Sequence, residues 1–283
     1  MNLFPSISAV AKTPIEKIIK VWEGLGYYAR ARHIHAGAIY LTEHHGGELP
    51  ASYEELKRVK GLGPYTIGAI LSFAFKQKWA AADGNIFRLL ARYFEIEEPI
   101  DKSRTQSLLR SLCTALLPEK KPWIAMEALI ELGALVCQKR AQCHLCPLEK
   151  SCLGKKRADF LPVKEKKSTV TILHRTVAVI QSKERFLMRK GKRGEVMEGL
   201  LEFPYFDRGV NVEKILGLPL NGGLSLPTVT HTFTRYKAIL YPRLYQAVEQ
   251  SVKGYTWLFL EELKESAFSS GHRRIFESLF TTD

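Results

Sequence analysis

Two helical patterns joined by a glycine turn constrain this chain more than any other stretch. From Leu56 the sequence reads L-K-R-V-K-G-L-G-P-Y-T-I-G-A-I-L-S-F-A-F. Gly61 and Gly63 flank Leu62 in a tight turn, where glycine tolerates a positive φ and a close backbone approach. Pro64 suits the first position of the next helix. Ile67, Ile70, Leu71 and Ala74 then follow at helical spacing. The free N–H groups at the start of that helix, with the positive end of its dipole, suit an anion such as a phosphate.

A second helical pattern, Ile86, Leu89, Leu90 and Tyr93, begins after Asp83-Gly84-Asn85. An aspartate in this place caps the helix, and the helix dipole favours its ionised form. Upstream, Trp22-Glu23-Gly24-Leu25-Gly26-Tyr27-Tyr28-Ala29-Arg30-Ala31-Arg32 sets two aromatics beside two arginines. Such a segment can stack on bases and pair with phosphates, or simply start a helix with its tyrosines in the core. Lys plus Arg is 42 against 29 Asp plus Glu, a formal balance of +13, which fits a polyanionic partner such as nucleic acid. No apolar run is long enough to span a membrane, and Met1–Ala9 has no basic start of a secretory signal.

Four of the five cysteines, Cys137, Cys143, Cys146 and Cys152, follow the spacing C-x5-C-x2-C-x5-C. Thiolates this close can wrap one tetrahedral ion or one cluster, and spacing alone leaves zinc and an iron–sulfur cluster open. Clustering of this kind points to a metal site in a reducing compartment rather than to disulfides. Lys139 and Arg140, inside the loop, suit phosphate contact or an ordinary solvated loop. Cys113, in an apolar helical pattern, reads as an inert buried thiol. Residues 103–136 read as two helices split near Leu117-Pro118-Glu119-Lys120-Lys121-Pro122. After a basic stretch the pattern turns to short strands, at Thr176–Gln181, Phe186–Arg189, Val229–Phe233, Ala238–Tyr245 and Thr256–Leu260, with a last helix over His272–Phe280. Glu261-Glu262 reads as a solvated helix start.

G-L-G-P-Y-T-I-G-A-I followed by D-G-N resembles the helix-hairpin-helix DNA glycosylase superfamily, and G-L-G-Y-Y-A-R-A-R is similar to a motif of its MutY-type adenine DNA glycosylases. The resemblance implies a mostly α glycosylase domain with an iron–sulfur loop at 1–154, a basic linker at 155–170 and a smaller α+β Nudix-like domain at 171–283. It implies removal of adenine mispaired with 8-oxoguanine or guanine in double-stranded DNA, in a cytoplasmic, nucleoid-associated, monomeric enzyme of base excision repair. Asp83 would stabilise the positive charge that develops at C1′ as adenine leaves, and Tyr65 and Asn85 would position groups around it. Tyr65 stands where bifunctional relatives keep a Schiff-base lysine, so the chain resembles the monofunctional branch. Gly61, Gly63 and Tyr27 would touch DNA, Tyr27 as a wedge beside the lesion. The cysteine loop resembles the superfamily's [4Fe–4S] pattern with its first gap one residue short, and zinc is the alternative. The alternatives for function are an endonuclease III-like glycosylase for oxidised pyrimidines and a binding-only relative without catalysis.

Gly199-Leu200-Leu201-Glu202-Phe203-Pro204 and His231-Thr232-Phe233-Thr234 resemble the family's Nudix-like domain, in which Phe233 and Thr234 would read 8-oxoguanine. The carboxylate signature of Nudix pyrophosphatases is absent, and Arg235 follows Thr234 where the family commonly has histidine. MutY-type enzymes also carry a glutamate, followed by Leu-Gln-Gln-Thr, that protonates the departing adenine. No such segment precedes Met1, so the resemblance implies an N-terminally truncated form that binds DNA and excises adenine poorly. Glu16 and Glu23 read as surface residues and not as that acid.

Overall fold

The computed structural model describes residues 3–165, 170–233 and 235–280. In chain order these form helices α1 (Ile7–Lys12), α2 (Ile15–Val21), α3 (Tyr28–His45), α4 (Tyr53–Arg58), α5 (Pro64–Ala69), α6 (Gly84–Tyr93), α7 (Ser103–Leu116) and α8 (Pro122–Glu131). Strands β1 (Thr171–Ser182), β2 (Arg185–Lys190), β3 (Leu201–Glu202) and β4 (Tyr205–Asp207) follow, then helix α9 (Val212–Leu216). Strands β5 (Asn221–Ser225), β6 (Val229–Phe233), β7 (Tyr236–Gln246) and β8 (Thr256–Phe259) precede helices α10 (Leu260–Glu265) and α11 (Ser270–Ser278). A helical part thus precedes an α+β part, as the resemblance implies. No helix among the described residues is long and apolar enough to cross a membrane. Contacts divide the chain into two compact units, residues 1–8 with 36–167 and residues 9–35 with 168–283.

In the first unit α6 is the central helix. Its face of Ile86, Phe87, Leu90 and Ala91 packs with Ala80–Ala82, Leu109, Cys113, Leu117 and Met126. Full burial of one such leucine or isoleucine stabilises by roughly 2 kcal/mol. The alanine run lets its backbone lie against α5: a Cβ on Gly68 would stand 2.0 Å from the Ala80 carbonyl oxygen, so only glycine fits there. Helix α5 continues as a wider π turn over Ile70–Ala74. Pro122 opens α8 after Lys121 at φ 54°, which makes the break between helices where the prolines place it. Burial pushes the Cys113 thiol up to about 11, in keeping with an inert side chain.

Two arginines on α6 fasten it to the cysteine loop. Arg92 is buried. Its Nε donates to the Leu161 carbonyl (2.9 Å), and its Nη atoms donate to the carbonyls of Gln138 (2.6 Å) and Lys139 (3.0 Å) and to Cys137 Sγ (3.3 Å). One turn earlier, Arg88 donates to the carbonyls of Cys137 and Gly133, both at 2.7 Å. Gly154 closes the arrangement, since a Cβ there would lie 2.4 Å from the Arg92 carbonyl oxygen.

The second unit is built on one sheet in the order β3-β2-β1-β7-β5, with β4 on β1, β6 on β7 and β8 on β2. Strands β1 and β7 run parallel from Thr171↔Tyr236 to Gln181↔Gln246. Val177 to Ile180 are buried on both faces, the continuous apolar run that a central parallel strand requires. Val177 and Val179 face α10 and α11, whereas Ala178 and Ile180 face α9. The strands expected from sequence are all present, and β1 and β7 extend beyond their expected ends. Strands β3, β4 and β5 were not expected: the first two are short and separated by Pro204, and β5 opens on Asn-Gly-Gly.

Glu23 is not the surface residue its sequence context implies. Its carboxylate accepts from Arg273 Nε (2.7 Å) and Nη2 (3.0 Å), from the Phe268 N–H (2.9 Å) and from Lys20 Nζ (2.9 Å). Burial opposes its ionisation, but these donors outweigh burial and hold the carboxyl below its ordinary range. Glu16 is exposed, as expected. Glu262 accepts the Phe259 N–H (2.8 Å) at the start of α10, so one of the Glu261-Glu262 pair caps as well as faces solvent.

Glu202 lies buried beneath α11, with Oε1 3.9 Å from His272 Nε2 and Oε2 3.6 Å from Arg189 Nε. Neither distance is a hydrogen bond, and Oε2 has no such partner among the described residues. Burial pushes the Glu202 carboxyl up to about 7, against the opposing pull of Arg189. Burial pushes His272 down to about 3, and its Nδ1 accepts the Phe203 N–H (3.0 Å) as a neutral ring.

Two predictions follow from these buried groups. Arg92→Met leaves several buried carbonyls without donors and is expected to destabilise the first unit by about 3 kcal/mol, read from the midpoint of urea unfolding; a change below about 1 kcal/mol contradicts the role given to Arg92. For Glu202 the sign is set by the raised carboxyl. Below pH 4.5 both folded and unfolded states hold the proton; between there and about pH 7 only the folded state does, so stability falls as pH rises through that window. Glu202→Gln should therefore raise the melting temperature relative to the parent at pH 8 and leave it nearly unchanged at pH 4. An equal shift at both values would show that ionisation of Glu202 plays no part.

Candidate active site

The hairpin begins where α4 ends at Val59, whose carbonyl accepts the Leu62 N–H (3.2 Å). Gly61 has φ 90° and needs glycine. Gly63 does not need it for conformation: its backbone is extended at φ −87°, ψ 170°. Nothing lies within 4 Å of where its Cβ would be, so its backbone is bare to an approaching group. Pro64 opens α5, and Tyr65 follows on its first turn with 47% of its surface exposed.

Asp83 caps α6. Its Oδ1 accepts the backbone N–H groups of Asn85 and Ile86, both at 2.9 Å, and its Oδ2 accepts from Asn85 Nδ2 (3.0 Å). The amide oxygen of Asn85 in turn accepts from Arg88 Nη2 (3.1 Å). A half-buried carboxylate is thus held in one orientation by three donors, with a guanidinium behind the asparagine. Burial first, then the neighbouring Arg92, lowers the Arg88 pKa from its ordinary value. A Cβ on Gly133 would meet the Asn85 carbonyl carbon and oxygen at 3.2 Å, so the turn after α8 presses on the residues that orient Asp83. Sequence reasoning passed over Arg88 and Arg92. Their signal was present: two arginines four residues apart share one face of an otherwise apolar helix.

The four cysteines line one cavity, shared with Arg92, Tyr93, Leu148 and Lys155. All four are free thiols. No group of three or more His, Cys, Asp or Glu among the described residues is set to hold a single metal ion. Four thiols around one cavity are the donor type that either a zinc ion or an iron–sulfur cluster takes. Burial, then the charges of the other three thiols, raises the Cys152 pKa, and a cationic centre held by the four would relieve that crowding. Lys139 and Arg140 are exposed on the loop.

In the second unit the two adjacent tyrosines separate. Tyr28 is buried with Ile19, Leu200 and Ala267. Tyr27 is 65% exposed, has φ 45° and carries the Arg30 guanidinium 5.1 Å from its ring centre. A left-handed backbone under a bulky side chain is strained; Gly24 and Gly26, at φ 87° and 69°, supply the turn that holds it. Phe233 stacks on His231 (5.3 Å) and tilts against Tyr236 (5.6 Å). It lines a cleft of about 420 Å³ with Arg175, Tyr205, Glu202 and His272. Thr234 lies outside the described residues. Arg235 donates to the Tyr236 hydroxyl through Nε (3.2 Å) and Nη2 (3.1 Å).

A family profile described as HhH-GPD superfamily base excision DNA repair protein matches residues 1–115, and one described as NUDIX domain matches residues 176–278. The chain is 34% identical over 209 residues to an adenine DNA glycosylase of Buchnera aphidicola subsp. Baizongia pistaciae, covering 72% of this chain and 59% of that protein. It is 35% identical over 161 residues to adenine DNA glycosylase of Homo sapiens, covering 56% of this chain and 30% of that one. A solved thermostable thymine-DNA glycosylase is similar at 26% identity and a TM-score of 0.49, over 54% of this chain and 70% of its own. The chain spans about three fifths of the length of the Buchnera relatives it matches. Residues 1–115 thus carry an HhH-GPD domain and residues 176–278 a NUDIX domain, and the relatives that the chain resembles are adenine DNA glycosylases.

Proposed function

We propose that the chain is a monofunctional adenine DNA glycosylase acting on adenine opposite 8-oxoguanine or guanine. The observation that carries the reading is Asp83: an aspartate fixed at the start of α6, after a glycine hairpin, with tyrosine rather than lysine at position 65. The glycosidic bond breaks with its electron pair going to adenine, which leaves neutral once protonated. The sugar becomes oxocarbenium-like, and the Asp83 carboxylate stabilises its charge. Water then adds to C1′ and loses a proton. Asn85 and Arg88 keep Asp83 from turning away, and the exposed Tyr65 borders the same turn. Gly61, Gly63 and Pro64 offer bare backbone and helix N–H groups to a phosphate. The exposed, cation-backed Tyr27 suits insertion beside a lesion, and Phe233 with Thr234 reads the opposite base. Cys137, Cys143, Cys146 and Cys152 hold a [4Fe–4S] cluster, which supplies a structural anchor for the loop carrying Lys139 and Arg140.

Single-turnover excision from an adenine–8-oxoguanine duplex, with protein in excess, tests the reading. Asp83→Asn is expected to lower the rate by about 10²–10³-fold and to alter duplex affinity by less than about threefold. Equal rates for variant and parent reduce Asp83 to a helix cap. Tight binding with adenine left in place by both points to the binding-only relative, and release of an oxidised pyrimidine in its place points to the endonuclease III-like alternative.

The cluster is tested separately. Protein purified without oxygen is expected to be yellow-brown, with about four irons per chain. One zinc per chain and no iron overturns the cluster and leaves the glycosylase reading standing.

A further inference from the structure

We propose that Arg273, acting through Glu23, is a positioning residue for Tyr27, so that α11 sets where the inserted side chain stands. This rests on the proposed insertion of Tyr27 beside a lesion, and it gives the second unit a part in that step as well as in reading the opposite base.

The turn that carries Tyr27 does not hold itself. Gly24 and Gly26 have nothing within 4 Å of where a Cβ would stand, and glycine leaves the backbone more freedom than any other residue. Leu25 and Tyr27 are both exposed, so packing does not fix the tip. Within the turn, Trp22 Nε1 donates to the Gly26 carbonyl (2.9 Å) and the Leu25 N–H to the Trp22 carbonyl (3.2 Å).

Both ends of the turn are tied to Phe268. Glu23, just before the turn, accepts the Phe268 N–H (2.9 Å), and Tyr28, just after it, donates its hydroxyl proton to the Phe268 carbonyl (3.4 Å). The same hydroxyl accepts the Gly24 N–H (3.2 Å). Arg273 completes the hold. Its Nε and Nη2 donate to the two oxygens of Glu23 at 2.7 and 3.0 Å, and Nη2 also donates to the Ser266 carbonyl (2.7 Å). The guanidinium lies 4.3 Å from the Phe268 ring centre. A forked arginine fixes a carboxylate in direction as well as in distance. The Glu23 and Arg273 side chains are only 15% and 16% exposed, so water competes little for the pair. A strained residue such as Tyr27 persists where its surroundings over-determine it, and these bonds do that on both sides of it. Ser269 and His272, between Phe268 and Arg273, line the cleft of Phe233. The frame that holds the inserted ring is thus also a wall of the cleft proposed for the opposite base.

The test reads insertion and not excision. The whole chain, at saturation, is added to an adenine–8-oxoguanine duplex with 2-aminopurine beside the 8-oxoguanine, a probe that brightens when its stacking is broken. The parent is expected to brighten it and Tyr27→Ala to lose that rise. Arg273→Ala should lose about half of the rise or more, and Arg273→Lys, which keeps one charged donor for Glu23, should recover part of it. Glu23→Gln is the milder variant, since its amide oxygen still accepts the Phe268 N–H, and it should lose part of the rise with the fold kept. Affinity for the same duplex is the second measurement. Because Arg273 acts through Tyr27, Tyr27→Ala/Arg273→Ala should bind no more weakly than the weaker of the two single variants. A full rise with both Arg273→Ala and Glu23→Gln, or affinity losses that multiply in the double variant, overturns the assignment. If the parent and Tyr27→Ala brighten the probe alike, Tyr27 is not inserted and the assignment falls with it, while the reading of Asp83 keeps its own excision assay.

Discussion

A buried guanidinium met by backbone carbonyls, with no carboxylate, holds the first unit together. Arg92 spends its donors on the carbonyls of residues 138, 139 and 161 and on the sulfur of Cys137. Those carbonyls belong to a loop with little regular structure, so without Arg92 they would be buried and unbonded, each at a cost of about 1–3 kcal/mol. A planar fork with fixed donor directions can satisfy several acceptors at once, and lysine could not. The loop is therefore folded around a side chain supplied by α6, and the positions of its cysteines follow from that.

Helix α6 then links two chemistries. Its first residue is capped by Asp83; Arg88 lies one turn on and Arg92 a turn beyond. Because Arg88 bonds both to Asn85 and to the carbonyls of Gly133 and Cys137, the orientation of the Asp83 carboxylate and the shape of the cysteine loop rest on one rigid rod. The proposed cluster thus has a physical route to the proposed active site that needs no electron transfer. In the second unit a comparable economy is missing. Its buried Glu202 and His272 face each other without a hydrogen bond, and the sheet bears that cost through the apolar packing of β1 and β7.

How much of this was legible in the sequence differs from residue to residue. The hairpin, the start of α6 and the break before Pro122 were legible because glycine, aspartate and proline act on their own backbone. The long strands were legible because burial on both faces leaves an unbroken apolar run. Strands β3 and β4 were not, since strands of two or three residues carry no period, and in β5 two glycines hide the pattern. Tyr27 and Tyr28 could not be told apart by composition; the left-handed turn at Tyr27 sends one outward and one inward. Glu23 was misread because its partners lie at positions 268 and 273, beyond any local pattern. Arg88 and Arg92 were passed over: two arginines on one face of an apolar helix mark a place, but the carbonyls they bond leave no trace in a sequence.

The ion pair of Glu23 with Arg273 spans 250 residues, and it sets an order on synthesis. A ribosome delivers residues 9–35 well before α11. The apolar side chains of Ile19 and Tyr28, together with the Glu23 carboxylate, thus leave the exit tunnel long before Ala267, Phe268 and Arg273 exist to cover them. The parallel pairing of β1 with β7 waits in the same way for residue 246. Long-range closures of this kind are slow, and an apolar segment left exposed while its partners are still being made is one that chaperones meet. Residues 9–35 are thus made long before the residues that bury them, and the second unit closes only once α11 is released.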